Sequence, residues 1–204
     1  VKRFVYLTIH HLEQAPAIPH FASKLPIEAA VKASGMEWTL IRPNNFFQNE
    51  EWFRPVILGH GVYPQPLGPH GLSRVDVRDI AEAAAIAVTQ PGHNGRVYEL
   101  VGPDILTGEG TADAWSRALG RPVRYAGDDL DQWENTFRPW LPALLLYDFR
   151  LMYRWFIDHG LAATPGEVRT LTDLLGHPPR SFEAYVKETA ARWLAEEKEN
   201  PAGA

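Results

Sequence analysis

Apolar residues along this chain fall into short, nearly continuous runs that alternate with stretches of helical period. Phe4, Tyr6 and Thr8 alternate with Val5, Leu7 and Ile9, so Val1–Thr8 is predicted as a strand covered on both faces. Leu25, Ile27, Ala30, Val31 and Ala33 share one side of a predicted helix, with Ser23 as its N-cap and Gly35 at its end. Pro26 is tolerated there because it falls in the first turn. A second strand is predicted over Met36–Arg42, and a helix from Phe46 to Leu58, ended by Gly59 and Gly61.

Farther on, Arg74–Val77 reads as a short strand, and Asp76 or Asp79 opens a helix buried along Ile80, Ala83, Ala84, Ala87 and Val88. Arg96–Val101 is strand-like, Thr107 caps a helix through Trp115 and Leu119, and Val123–Tyr125 is a further short strand. From Asp129 the pattern is helical. Leu144–Ile157 is crowded with aromatic residues and closes at Gly160, and a last helix buries Phe182, Tyr185, Val186, Thr189, Trp193 and Leu194. The alternation predicts an α/β sheet portion over 1–128 and a mainly helical portion over 129–204.

In an open α/β sheet, ligands bind beyond the carboxyl ends of the strands. That places function at Pro43-Asn44-Asn45-Phe46-Phe47-Gln48-Asn49, directly after the second strand. The proline- and glycine-rich stretch Gly61–Gly71 is a loop that lines or covers the same pocket.

Composition narrows the chemistry. With 204 residues, 45% hydrophobic and 22% charged, the chain has an ordinary globular make-up. A net charge of -5 with interspersed signs argues against nucleic-acid binding, which wants a clustered basic face. There is no cysteine, hence no disulfide, thiolate nucleophile or thiolate metal site. His10-His11, His60 and His70 lack metal-ligand spacing, so no metal is expected, and no G-x-S-x-G elbow is present. No apolar run approaches the ~20 residues of a membrane span, and the expected location is cytoplasmic, with no membrane partner.

Four stretches, Val5-Tyr6-Leu7-Thr8, Pro19-His20-Phe21-Ala22-Ser23-Lys24, Leu40-Ile41-Arg42-Pro43-Asn44 and Val75-Asp76-Val77-Arg78-Asp79-Ile80-Ala81, occur in a telling order. Together they resemble the carboxyl portion of the NmrA-like atypical short-chain dehydrogenase/reductases, up to about Leu119. The resemblance implies part of a doubly wound, Rossmann-like parallel sheet with a helical, substrate-covering C-terminal portion. It also implies an NADP or NAD cofactor and reduction of a quinone-like or carbonyl small molecule.

Residue by residue, His20 stands where catalytic members carry a tyrosine four positions before a lysine, and imidazole titrates near neutrality and can donate a proton. Lys24 takes the lysine's place as the ribose contact and catalytic cation, against the plain reading of a helix-start lysine. Thr8 matches a hydroxyl that bonds the substrate oxygen, though threonine also simply favours strands. Pro43, Asn44 and Asn45 match backbone beside the cofactor carboxamide, and Phe46, Phe47 and Asn49 face the substrate, the phenylalanines being equally suited to the core.

No glycine-rich turn follows a first strand here, and neither Gly59-His60-Gly61 nor Gly108-Glu109-Gly110 replaces one. Two expectations follow: a truncated carboxyl portion of a longer reductase, or a short protein without the cofactor half. A reading from a different class is a non-catalytic, redox-sensing regulatory or protein-interaction domain. An unpaired edge along Val1–Ile9 predicts a homodimer.

Overall fold

The computed structural model describes residues 2–199. Its organising element is the most continuously buried strand of the sheet. The first strand, β1 (Arg3–Leu7), leads through a loop and a short helix α1 (Pro19–Ala22) into α2 (Lys24–Ala33) and then β2 (Glu37–Pro43). Thr39 to Pro43 are all buried, as a strand covered on both faces requires. After β2 come a 3-10 segment, Phe47–Phe53, then α3 (Arg54–His60) and the two-residue β3 (Val62–Tyr63). They are followed by α4 (Val77–Thr89), β4 (Arg96–Leu100), α5 (Gly108–Leu119) and β5 (Arg124–Tyr125). The chain then runs through α6 (Leu130–Phe137), α7 (Ala143–His159), α8 (Pro165–Leu175) and α9 (Phe182–Glu199).

The sheet is parallel throughout, in the order β1-β2-β4, and β3 pairs with β5 in a separate parallel pair. Alternation along β2 assigns its two faces. Ile41 packs with Ile80 and Ala83 of α4 and Leu171 of α8, while Arg42 on the other face reaches Glu28 of α2. Helices thus cover both faces, the arrangement that parallel sheets need. The larger core runs from Leu12 to Trp193 and draws on residues from both sides of position 128. Its best-defined contact is the stack of Trp115 on Trp193, 4.5 Å between ring centroids, which joins α5 to α9.

Several local expectations are corrected. The helix predicted over Phe46–Leu58 is divided, because Pro55 has no amide hydrogen to give and can only sit at a helix start, where α3 begins. Arg74–Val77 is no strand: Val75 makes a single bridge with Phe46, and the chain turns at once into α4. Asp76 is the cap, its carboxylate accepting the Arg78 amide at 2.8 Å. Ser23 does not cap α2. It sits in helical conformation between α1 and α2, its hydroxyl donating to the His20 carbonyl at 2.9 Å. Val88 is 44% exposed, off the buried stripe of α4. The start of α8 is a reciprocal capping box between Thr164 and Glu167.

Candidate functional site

A cavity of about 890 Å³ opens beyond the carboxyl ends of β1 and β2. Its floor comes from Thr8, Ile9 and the run Pro43 to Phe46; one wall comes from His20 and Phe21 of α1, another from Asn49, Trp52 and Phe53. The roof is contributed by α6, α7 and their connection, through Trp133, Phe137, Trp140, Phe149, Tyr153 and Phe156. So many ring faces around a few polar groups suit a planar, uncharged ligand.

Thr8 follows β1, is 2% exposed and donates its hydroxyl to Glu28 Oε1 at 2.7 Å. Arg42 also grips Glu28, with Nη2 at 2.5 Å from Oε2 and Nε at 2.9 Å from Oε1. Burial alone would raise the Glu28 carboxyl, but the hydrogen bonds from Arg42 and Thr8 overcome it and hold it below the usual carboxylate range. The same guanidinium reaches Glu13 at 2.6 Å and Glu99 at 3.3 Å. Glu99 is pushed up to about 7 by burial, which Arg42 only partly opposes, and its Oε2 is buried without a partner among the described residues. Sequence reasoning missed this clamp, since its members lie on four separate segments.

Asn44 is fully committed. Its amide donates to the Leu161 carbonyl at 2.7 Å and to His10 Nδ1 at 3.0 Å, while its oxygen accepts the Asn45 amide at 2.7 Å. Asn45 Oδ1 accepts from Asn49 at 3.2 Å and from Arg74 Nε at 3.1 Å, and its own Nδ2 has no partner among the described residues. Pro43 and Phe46 reach the cavity surface, but Phe47 turns away. Fully buried, it packs edge-on against Phe182 at 5.1 Å and beside Tyr185 at 5.5 Å, a core residue.

His20 lies on the cavity wall, with Nδ1 at 2.7 Å from Asp148 Oδ1 on α7 and its ring edge-on to Phe21 at 4.7 Å. Asp148 was not singled out by sequence, because nothing in the periodicity of α7 marks it. Lys24 is half-buried, four residues beyond His20, off the cavity surface and without a polar partner among the described residues. Of the predicted site residues the fold therefore gathers Thr8, His20, Pro43, Asn44, Asn45, Phe46 and Asn49 around one space, with Lys24 beside it and Phe47 behind it.

His10, His11 and Glu167 form the one cluster of metal-ligand type among the described residues, while His60 and His70 are exposed elsewhere. The rings of His10 and His11 stack at 3.8 Å, and Glu167 Oε1 lies 2.6 Å from His11 Nε2 and 3.4 Å from His10 Nε2. Burial, reinforced by the neighbouring His11, lowers His10 to about 4, so it is neutral near pH 7. Because the Asn44 amide points a hydrogen at Nδ1, the single ring proton sits on Nε2, facing Glu167. A metal at Nε2 would force the ring proton onto Nδ1, where it would meet the hydrogen that the Asn44 amide donates. The cluster acts as a strap from the loop after β1 to the start of α8.

Residues 1–186 match the NmrA-like family. The chain belongs to the NmrA-like family. Among its NmrA-like relatives, the NAD(P)H azoreductase of Xenophilus azovorans is 36% identical over 166 residues, which is 81% of this chain and 57% of that protein. Quinone oxidoreductase 2 of Escherichia coli (strain K12) is 28% identical over 190 residues, 91% of this chain and 64% of that one. The crystal structure of an NADPH-dependent quinone oxidoreductase from Escherichia coli superposes with a TM-score of 0.82 at 25% identity, covering 93% of this chain and 68% of that one. This NmrA-like chain thus spans about 57% of the azoreductase's length. No helix among the described residues is long and apolar enough to cross a membrane.

Proposed function

We propose that this chain supplies the acceptor-binding half and the proton donor of an NAD(P)H-dependent reductase acting on planar, quinone-like or carbonyl small molecules. The observation that carries this reading is the aromatic cavity at the strand ends, with one imidazole on its wall. The relatives named for azo and quinone reduction support it.

The residues present fit the nicotinamide end of such a cofactor. Lys24, half-buried beside the cavity and without a polar partner among the described residues, is the cation for the ribose, and Asn45 Nδ2, also without a partner among them, is a donor at the cavity floor. When bound, reduced nicotinamide supplies hydride. This chain's part is to bind and orient the acceptor between ring faces, exclude water from it, and deliver a proton from His20.

The test is a titration of the chain with menadione, then with NADPH and NADH, followed by quenching of its 7 tryptophans. Trp52, Trp133 and Trp140 line the cavity, so saturable quenching by menadione is expected. A chain that fails to bind menadione overturns the reading.

Self-association completes the proposal. One edge of β1 is unpaired among the described residues and Leu7 is 42% exposed beside it, which favours pairing of two copies along that edge. Sedimentation is expected to show a dimer, and a stable monomer at high concentration would refute it.

A further inference from the structure

Helix α7 carries the most aromatic stretch of the chain, and its inward residues Met152, Tyr153 and Phe156 are apolar apart from one hydroxyl. Among them Asp148 is only 8% exposed. A carboxylate costs several kcal/mol to bury unless a charge or hydrogen bond compensates it. Its partner among the described residues is His20 Nδ1, brought from α1 at 2.7 Å. Packing alone gives no reason for an acid at this position; an apolar residue would fill it at lower cost.

Because an ionised carboxylate can only accept, the hydrogen between the two groups belongs to His20 Nδ1. That settles the ring's orientation. Nε2 has no partner among the described residues, and the imidazole borders the cavity with a third of its side chain reached by solvent.

We infer that Asp148 is a positioning residue that holds His20 with Nδ1–H on the carboxylate and Nε2–H aimed at the oxygen or nitrogen of a bound planar acceptor. The inference rests on the reductase reading above. In the two-electron step a bound reduced nicotinamide would supply hydride, so that the acceptor is reduced and the nicotinamide oxidised. The His20 Nε2–H bond breaks as the new O–H or N–H bond forms, and His20 is left neutral with its proton on Nδ1. Solvent at the open side of the ring restores the Nε2 proton.

The experiment is long-range proton-nitrogen NMR of the histidine rings in the 204-residue chain, with His20 assigned through a His20→Gln variant. In its neutral form, His20 of the wild type is expected to be the Nδ1–H tautomer. Asp148→Asn, whose amide can donate to Nδ1, should shift it toward Nε2–H, and Asp148→Glu should restore the original form at least in part. Saturating menadione should move the Nε2 resonance of His20 in wild type. In Asp148→Asn tryptophan quenching should still report binding.

An Nε2–H tautomer in wild type, no change in Asp148→Asn, or an unmoved Nε2 resonance with menadione demonstrably bound would each overturn the inference. Failure of menadione to bind refutes the reductase reading instead, and the tautomer result still decides what Asp148 does to the ring.

Discussion

Replacing Glu50 with alanine is expected to remove about 3–5 kcal/mol of stability, because it leaves a buried guanidinium without its counter-charge. Glu50 and Arg74 are both wholly inaccessible, with Nη2 at 2.6 Å from Oε1. Glu50 also accepts the Trp115 indole at 2.7 Å, the Gln65 amide at 3.1 Å and the Tyr63 hydroxyl at 3.2 Å. One carboxylate therefore joins the 3-10 segment after β2, β3 and α5. Arg74 passes the effect to the cavity, since it also donates to the Phe46 carbonyl at 2.9 Å and to Asn45 Oδ1 at 3.1 Å. Domains are stable by only about 5–15 kcal/mol, so the variant should unfold at a much lower urea concentration. Glu50→Gln keeps an acceptor oxygen for the indole and should lose less. A loss below about 1 kcal/mol for the alanine variant, the range of exposed ion pairs, would show that the pair does not hold these elements together.

Glu99→Gln is expected to stabilise the protein at alkaline pH and to leave it unchanged in acid. A carboxyl raised to about 7 from 4.5 holds its proton in the folded state across that window while the unfolded chain releases it. Stability is therefore lost as pH rises from about 4.5 to 7. At about 1.4 kcal/mol per unit, the gain on removing the charge reaches ~3 kcal/mol by pH 8.

His10 works in the opposite direction. Lowered to about 4 from 6.5, it leaves the folded state with fewer protons than the unfolded one, so its contribution is lost as pH falls through that window. The two slopes oppose each other in wild type, and Glu99→Gln should expose the acid-side loss from His10. Urea midpoints of both proteins from about pH 4 to 8 test this; parallel curves would rule it out.

The strands β1, β2 and β4 and the helices α4, α5, α7 and α9 were legible because burial on a strand or along one helix face leaves a period in the sequence. The position of the cavity was legible for a related reason: a covered parallel strand such as Thr39–Pro43 must end in a loop, and Asn44 to Phe46 supply polar and aromatic groups there. What could not be read were interactions set by the fold. Pro55 divides one apparent helix, and Ser23 has the residue type of a cap but the backbone of a helix interior. Phe46 and Phe47 are the same residue, yet one faces the cavity and the other the core, which only the turn after β2 decides. The pairs His20 with Asp148, Glu50 with Arg74 and Arg42 with Glu28 join residues distant in sequence, and no spacing rule connects them.

The cavity's floor and roof also have different obligations. Thr8 and Asn44 are locked into buried hydrogen bonds that hold the sheet's end together, so few replacements are admissible there. Trp140 and Trp52, at 81% and 69% exposure, owe little to the core, and the connection between α6 and α7 that carries Trp140 bears no strand. Changes at the rim can therefore reshape the cavity while its hydrogen-bonded floor stays unaltered. A cavity built this way should vary in outline faster than in the residues that hold its floor.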